Sequence, residues 1–201
     1  MLSTALFEAV NKSAPNVRLR FMHRFEEDRS LLREGAVDLE ISKRSTSAPE
    51  MRRQLLFRDK YVGVARKGHP LTTGSKVTAR RYAASNHVAS SHFGESGEPV
   101  DHALGKLGLS RQVQVVVPGY LDAMRVAAHS DLLAVVPHSC LGNRFLKGYA
   151  VSLGLLQFDL PLDMPDTHIT ALWHPRVDAD PAQRWLRQVV AKVCRKAYPE
   201  T

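Results

Sequence analysis

The chain has 201 residues, of which 44% are hydrophobic, and it carries a formal charge of +8 at pH 7. This length supports one sizeable hydrophobic core or two smaller ones. No apolar run approaches the roughly 18 residues that cross a bilayer, and residues 1–15 lack the basic leader and cleavage site of a signal peptide. We therefore expect a cytoplasmic protein that has no membrane contact.

The first third of the chain alternates helical and strand patterns. In chain order, the apolar spacing predicts a helix over 2–10, a strand over 17–21, a short helix that Gly35 ends, a strand over 37–42, and two strands over 52–66 that meet at Asp59–Lys60. The strand over 37–42 has its apolar side chains at Val37, Leu39 and Ile41 and ends in Ser42. A hydroxyl at that position either faces a ligand or begins a turn.

The rest of the chain repeats this alternation. The patterns predict strands over 86–90, 111–118, 131–137 and 168–175, and helices over 95–108, 119–130 and from 181 onward. The last helix is marked by a capping box, with Asp180 at the N-cap, Pro181 at the first position and Gln183 at the third. Strands that alternate with helices predict an α/β fold with mostly parallel sheets.

Sequence motifs of catalysis and metal binding are missing. There is no HExxH, CxxC or phosphate-binding loop, and "GESG" at 94–97 lacks the spacing of a nucleophile elbow. His138 and Cys140 could bracket a metal ion, but no third ligand stands at a suitable spacing. In a cytosolic protein Cys140 and Cys194 would both stay reduced. We therefore expect neither an enzyme nor a metal site, and no cofactor.

The net positive charge does not identify a binding partner. The basic residues occur in short, interrupted groups such as "MRRQ" and "VCRKA", each of which fits the solvated edge of a helix or strand. An excess of Lys and Arg can indicate nucleic-acid binding. Without a continuous basic run, it favours an anionic partner only weakly.

The strand ends carry a positional signal. In open α/β sheets, ligands bind beyond the carboxyl ends of the strands. Small and hydroxyl-bearing residues stand at those ends here, at Ser42, Ser90, Ser91, Gly119, Tyr120 and Pro137. Helices that begin near Ser96, Gly119 and His138 would direct N–H groups to the same place, which suits an anion. Ordinary turns use the same residue types, so spacing alone leaves both interpretations open.

Five stretches of the sequence, in chain order, resemble a known protein family. They are "LREGAVDLEIS", "LLFRDKYVGVARKGHPLT", "YAASNHVASSHFGESGEPVDHAL", "VVVPGYLDAMRVAAHSDLLAVVPHS" and "WHPRVDADPAQRWLRQVV". Together they resemble the effector-binding domain of LysR-type transcriptional regulators over nearly the whole chain. The stretches "PVDHALGKLGLSRQVQVVVPGY" and "SDLLAVVP" look like the subgroup that senses aromatic acids and plant phenolics.

The resemblance implies a two-lobed fold like that of type II periplasmic binding proteins, with helices on both faces of the sheets. Lobe I would hold residues 1–66 and 168–201, lobe II would hold residues 67–167, and the crossing segments would lie in 61–70 and 168–175. A small organic, anionic inducer would bind in the cleft between the lobes and change subunit packing in a homo-oligomer. The expected ligand-binding residues are Ser42, Ser90, Ser91, Phe93, Gly119, Tyr120 and Pro137.

The sequence departs from the family pattern at its start. The helix-turn-helix and linker helix are absent, as is the strand that opens the domain in the family. We therefore expect no sequence-specific DNA binding by this chain, with promoter contact only through the absent helix-turn-helix. We also expect lobe I to be the weaker half, with faster hydrogen exchange in 17–22 and 38–42 than in 113–117 and 132–136.

Two other functions are compatible with such a fold. A free-standing solute-binding protein would share the architecture, but the absence of an export signal counts against it. An enzyme could also use the scaffold, since fold does not imply function. The sensing domain of a transcription regulator is the leading hypothesis.

Overall fold

A computed structural model describes residues 2–22, 30–43, 49–74, 76–90 and 98–199 of the chain. The chain forms two compact units, the first from Met1–Arg58, Asn143–Phe145 and Thr167–Thr201, the second from Asp59–Gly142 and Leu146–Asp166. The first boundary between the two units lies after Arg58, earlier in the chain than the expected residue 66, because the strand Tyr61–Arg66 pairs inside the second unit. In the described ranges, no helix is long and apolar enough to span a membrane.

The elements alternate along the chain. The helices are α1 Ser3–Ser13, α2 Ser30–Glu34, α3 Ala79–Ala83, α4 Pro99–Gly105, α5 Tyr120–Ala128, α6 Tyr149–Ser152 and α7 Pro181–Ala197. The strands are β1 Glu40–Lys43, β2 Arg52–Asp59, β3 Tyr61–Arg66, β4 Asn86–Ser90, β5 Gln112–Val117, β6 Leu132–Pro137, β7 Leu155–Phe158 and β8 Thr167–Trp173. Short 3-10 helices span His138–Leu141 and Pro175–Val177.

The first unit packs helices α1 and α7 against a sheet of three strands in the order β1-β8-β2. Its core includes Leu6 of α1, Phe57 of β2 and Val190 of α7. The N-cap predicted for α7 is confirmed, since Asp180 Oδ1 accepts a hydrogen bond from Gln183 N at 2.8 Å, whereas the Gln183 side chain donates to Asp38 Oδ1 at 2.6 Å. The bond to Asp180 satisfies one of the N–H groups that the first turn of a helix leaves without a partner.

Two strand predictions in the first unit are wrong in detail. Residues 17–22 form no strand, and Phe21 is 59% exposed. Strand β1 begins at Glu40, and Ile41 is exposed rather than buried. The alternation of Val17, Leu19 and Phe21 is a local pattern, whereas a strand also needs a neighbour to complete its hydrogen bonds, and the described part of the chain pairs none with this segment.

The second unit contains a mixed sheet in the order β5-β4-β6-β3-β7. Strand β4 is parallel to β5 and β6, whereas β3 is antiparallel to β6 and β7. The α/β class is confirmed, but the expectation of mostly parallel sheets is wrong for the strand pairs described. A continuous apolar run such as Tyr61–Ala65 marks a strand buried on both faces, and it carries no information about strand direction.

Helices cover both faces of this second sheet. Along β6, Ala134 and Val136 pack with Met124 of α5. The alternate residues Leu133 and Val135 pack on the opposite face, in the cluster that includes residues of α3 and α4. This division follows from the pleat, which directs successive side chains to opposite faces.

Gly63 lies where β3 passes the ring of Phe158 on β7. A Cβ at this position would lie 2.3 Å from Phe158 Cε2 and Cζ. We expect Gly63→Ala to lower the free energy of unfolding by about 1–3 kcal/mol, because overpacking displaces a ring from a filled core. Thermal unfolding followed by circular dichroism measures the loss.

Gly105 provides the matched control for that substitution. It ends α4, and a Cβ there would meet no atom within 4 Å. Gly105→Ala should stay within about 0.5 kcal/mol of wild type or stabilise the chain slightly. Equal effects of the two substitutions would contradict the close packing of β3 against Phe158.

Candidate functional site

Several of the expected ligand-binding residues lie at one edge of the second sheet. Strands β4, β5 and β6 are mutually parallel, so their carboxyl ends share that edge. Ser90 ends β4, Pro137 ends β6, and Gly119 and Tyr120 begin α5 after β5. The structure therefore brings four of the seven predicted residues to the place where open α/β sheets bind ligands.

The remaining three predicted residues are Ser42, Ser91 and Phe93. Ser42 belongs to the first unit, where it pairs with Thr170 across β1 and β8. Its hydroxyl donates a hydrogen bond to Lys43 O at 3.2 Å, so the group has a local acceptor. Ser91 and Phe93 lie outside the described residues. That all seven residues line one site stays a prediction.

A buried carboxylate that the strand-end argument missed stands beside Ser90. Glu98 is 5% exposed. Its Oε1 accepts hydrogen bonds from Ser90 N at 2.8 Å and from Ser90 Oγ at 3.3 Å. Its Oε2 accepts from Arg111 Nη2 at 2.9 Å. Glu98 thus connects the end of β4 to the residue that directly precedes β5.

Arg111 binds two carboxylates at once. Its side chain is 1% exposed, and besides Glu98 it contacts Asp101 through Nε–Oδ1 at 2.6 Å and Nη2–Oδ2 at 3.0 Å. Burial alone would raise the pKa of Asp101, but the hydrogen bonds and positive charge of Arg111 outweigh it and lower that pKa. Likewise burial opposes the charge on Arg111, and the carboxylates still raise the guanidinium pKa. In this cluster the charges of Glu98 and Arg111 are buried and that of Asp101 is partly exposed, and they stabilise one another.

The charge of Glu98 also affects the hydroxyl of Tyr120, the first residue of α5. Burial is the main cause that raises the pKa of Tyr120, and the negative charge of Glu98 raises it further. Ser90 acts in the opposite direction and lowers the pKa of Tyr120, but this effect is smaller than that of burial. Tyr120 consequently stays a neutral phenol at any physiological pH.

The helix starts near this edge already hold carboxylates of the chain. At α4, Asp101 Oδ2 accepts from Glu98 N at 3.0 Å. At the 3-10 helix His138–Leu141, Asp59 Oδ1 accepts from Ser139 N at 3.2 Å and also from Lys60 N at 2.9 Å. These carboxylates occupy part of both helix starts, and binding of an external anion there stays a prediction. Helix α5 has no side-chain cap at Gly119, and Asp122 lies in its first turn.

The arrangement suits hydrogen-bond recognition of a small molecule. Its polar groups are the hydroxyls of Ser90 and Tyr120 and the carboxylates of Asp59 and Glu98. Within the described ranges, no group of three or more His, Cys, Asp or Glu residues could hold a metal ion. His138 is exposed, and Cys140 is half-buried without a disulfide.

One sequence signal could have revealed the Glu98 cluster. Glu98 stands directly before Pro99 and three residues before Asp101, which is the arrangement of a helix start. That pattern predicts the position of the cap. It cannot show that the glutamate side chain binds Ser90, because that contact depends on how β4 and α4 pack.

Comparison with known proteins gives consistent matches. The family model described as "LysR substrate binding domain" matches residues 2–195. The HTH-type transcriptional activator NagR from Ralstonia sp is 28% identical over 196 residues, which cover 96% of this chain and 62% of that protein. The HTH-type transcriptional activator NahR from Pseudomonas putida is 28% identical over 159 residues, which cover 79% of this chain and 51% of that protein. The chain thus spans less than two-thirds of the length of these relatives.

Solved structures agree with the family match. A probable transcriptional regulator from Pseudomonas aeruginosa matches with a TM-score of 0.78 and 27% identity, over 92% of this chain and 59% of that one. The regulatory domain of MexT, a transcriptional activator in Pseudomonas aeruginosa, shares the fold with a TM-score of 0.75 and 24% identity, over 94% of this chain and 91% of that one. The chain belongs to the family of LysR substrate-binding domains.

Proposed function

We propose that this chain senses a small organic molecule, an aromatic acid or another organic acid, for a LysR-type transcription regulator. Binding at the strand ends of the second unit changes how the domain packs in a homo-oligomer. The parent protein contacts promoter DNA through a helix-turn-helix. The residues that hold the effector include Ser90, Gly119, Tyr120 and Pro137, together with Ser42, Ser91 and Phe93 as the sequence predicts.

The observation that carries the proposal is the convergence of polar groups at one sheet edge. Three parallel strands end there, Ser90 closes β4, and Tyr120 begins α5 after β5. A core of apolar residues from β4, β6 and α5 fixes the backbone beneath these side chains. A few fixed polar groups above a rigid apolar base are typical of small-molecule sites.

Exposed apolar side chains support the homo-oligomer. Strand β5 is an edge strand, and Val113, Val115 and Val116 on it are exposed. An exposed apolar edge strand readily pairs with another chain. Sedimentation velocity over a concentration series should therefore show self-association. A monomer at every concentration would contradict this part of the proposal.

A thermal-shift screen tests the ligand claim. The 201-residue chain is heated with a panel of aromatic and aliphatic acids, each at millimolar concentration. A ligand that binds only the folded state raises the midpoint, by about 2.7 kcal/mol of stabilisation at a hundred times its dissociation constant. If no compound in a broad panel changes the midpoint, the proposed function fails.

Tyr120→Ala is expected to weaken binding of any compound found in the screen by tenfold or more, because an aromatic anchor and its hydroxyl are lost. Tyr149→Ala is the matched control. Both tyrosines are half-buried and pack on the same core cluster, so both substitutions lower stability. Calorimetric titration should show lost affinity for the Tyr120 variant alone, and equal losses would remove Tyr120 from the site.

A further inference from the structure

We propose that the exposed face of α7 contacts the phosphate backbone of duplex DNA without reading its sequence. Four exposed cationic residues of that helix define the basic face, namely Arg184, Lys192, Arg195 and Lys196. The choice of DNA over other polyanions rests on the proposed function, in which a helix-turn-helix holds the parent protein on a promoter. The basic face adds a second, weaker contact from a different part of the protein.

The first step concerns where the net charge of the chain lies. The first unit contains 18 of the 28 Lys and Arg residues and 11 of the 20 Asp and Glu residues, whereas the second unit contains 10 and 9. The formal charge is therefore +7 on the first unit and +1 on the second. Because the excess is confined to one unit, an anionic partner is attracted to that unit far more than to the other.

The second step concerns the geometry of α7. The helix buries one side in the core of the first unit. With 3.6 residues per turn, Lys192 points away from the centre of that side, and Arg184 and Arg195 lie within about 80° of Lys192. The basic face extends about 18 Å from Arg184 to Lys196, at 1.5 Å per residue. Since the helix contains no Asp or Glu, this face is uniformly positive.

The third step concerns the partners of these cations. Arg187, the other cationic residue of α7, is buried and donates to Val177 O at 3.2 Å and Asp178 O at 2.8 Å, so it belongs to the fold. For the four residues of the basic face, no carboxylate of the described residues lies within ion-pair distance. Their charges are therefore available to an external anion.

The surroundings of α7 do not cancel its charge. Arg144 N donates to Ala197 O at 3.2 Å, which places another exposed arginine beside the end of the helix. Helix α1, which packs against α7, contributes one exposed lysine and one exposed glutamate, Lys12 and Glu8. These two charges balance each other, so the region keeps its excess of positive charge.

Helix stability explains only half of the basic face. Arg195 and Lys196 lie in the last turn, where positive charge interacts favourably with the helix dipole. Arg184 stands four residues after the N-cap, where the same dipole disfavours it. Lys192 is too far from either end to benefit. Contact with a polyanion gives all four residues a common role.

The backbone of duplex DNA matches this face in charge and length. A duplex carries one negative charge for about every 1.7 Å of its axis, so about 18 Å of helix lies opposite about ten phosphates. Phosphate contacts carry no sequence information. The proposal therefore agrees with the expectation that this chain has no sequence-specific DNA binding, and it leaves sequence reading to the helix-turn-helix of the parent.

The experiment measures DNA binding by fluorescence anisotropy. The 201-residue chain is titrated into two labelled duplexes of unrelated sequence, each of about 25 base pairs, between about 20 and 200 mM salt. Both duplexes should bind with the same dissociation constant. The logarithm of the affinity should fall with the logarithm of the salt concentration with a slope of about 3 to 4, as expected for four phosphate contacts.

The decisive variant replaces Arg184, Lys192 and Arg195 with glutamine. The triple substitution should weaken binding at the lowest salt by about tenfold or more and reduce the salt slope by about 2 to 3. Glutamine has a helix propensity close to that of Arg and Lys, so the unfolding midpoint should match wild type. The single variant Lys192→Gln should reduce the slope by about 1.

The matched control removes the same charge from the second unit. Lys67, Arg80 and Lys106 are exposed there, and replacing them with glutamine gives the same net charge as the α7 variant. This control should keep the affinity within about threefold of wild type and the slope within about 1. A general effect of net charge would instead weaken both triple variants equally.

The outcomes separate this inference from the proposed function. No binding to either duplex at the lowest salt, equal losses for the two triple variants, or a clear preference for one duplex overturns the inference. Tighter binding to vesicles that contain phosphatidylglycerol than to the duplexes overturns it as well. None of these results affects the sensing function, because the thermal-shift screen contains no DNA and decides that function independently.

Discussion

Replacing Arg111 with alanine is expected to lower the stability of the second unit by about 3–5 kcal/mol. The guanidinium is buried and satisfies Glu98 and Asp101 together. Without it, the buried Glu98 carboxylate keeps Ser90 as a partner but has no compensating charge. Removal of one member of a buried ion pair therefore costs far more than the pair itself contributes to stability.

Arg66→Ala is the matched control for this prediction. Arg66 pairs with Asp131 in the same unit, but the two side chains are 35% and 68% exposed. Its loss should cost about 1 kcal/mol or less. Hydrogen exchange in β4 and β6 measures both effects, whereas tryptophan fluorescence does not, because Trp173 and Trp185 belong to the first unit. Similar losses for Arg111→Ala and Arg66→Ala would show that the Glu98 cluster is not a buried charge network.

Leu133→Ala is expected to destabilise the second unit by about 2–5 kcal/mol. Leu133 is 0% exposed on β6, where it packs with Tyr82 and Leu104 on the face that α3 and α4 cover. The substitution removes apolar contacts and leaves a cavity that close-packed neighbours fill only partly.

The same substitution at Leu156 tests the role of burial. Leu156 lies on β7 of the same sheet and is 42% exposed. Leu156→Ala should cost about 1 kcal/mol or less. Urea unfolding followed by far-UV circular dichroism compares the midpoints of the two variants. A comparable shift for both would mean that β6 is not the buried centre of the sheet.

The sequence predicts elements whose signals are local. The start of α7 is an example, because Asp180, Pro181 and Gln183 interact within one turn. The two strands that meet at Asp59–Lys60 are another, and the structure separates β2 from β3 at Lys60. Such signals depend on neighbours in the chain and remain valid whatever the tertiary contacts are.

Features that depend on distant partners were not predictable in the same way. The segment 17–22 has strand alternation, yet the structure gives it no strand neighbour among the described residues. The direction of β3 follows from its pairing with β6 and β7, and its own residues do not encode it. The Glu98–Arg111 pair joins a helix start to a strand start 13 residues later. The strand-end rule selected Ser90 and Tyr120 as candidates, but it could not reveal the buried carboxylate of Glu98 that binds Ser90.

In the proposed function the effector binds at the carboxyl edge of β4, β5 and β6. Hydrogen exchange of the chain with and without the tightest compound from the thermal-shift screen tests it most directly, because protection reports local opening around a bound ligand. We expect slower exchange in 88–90 and 119–123, and unchanged exchange in Ser3–Ser13 of α1. Protection confined to residues outside that edge, or no protection at saturating ligand, would contradict it.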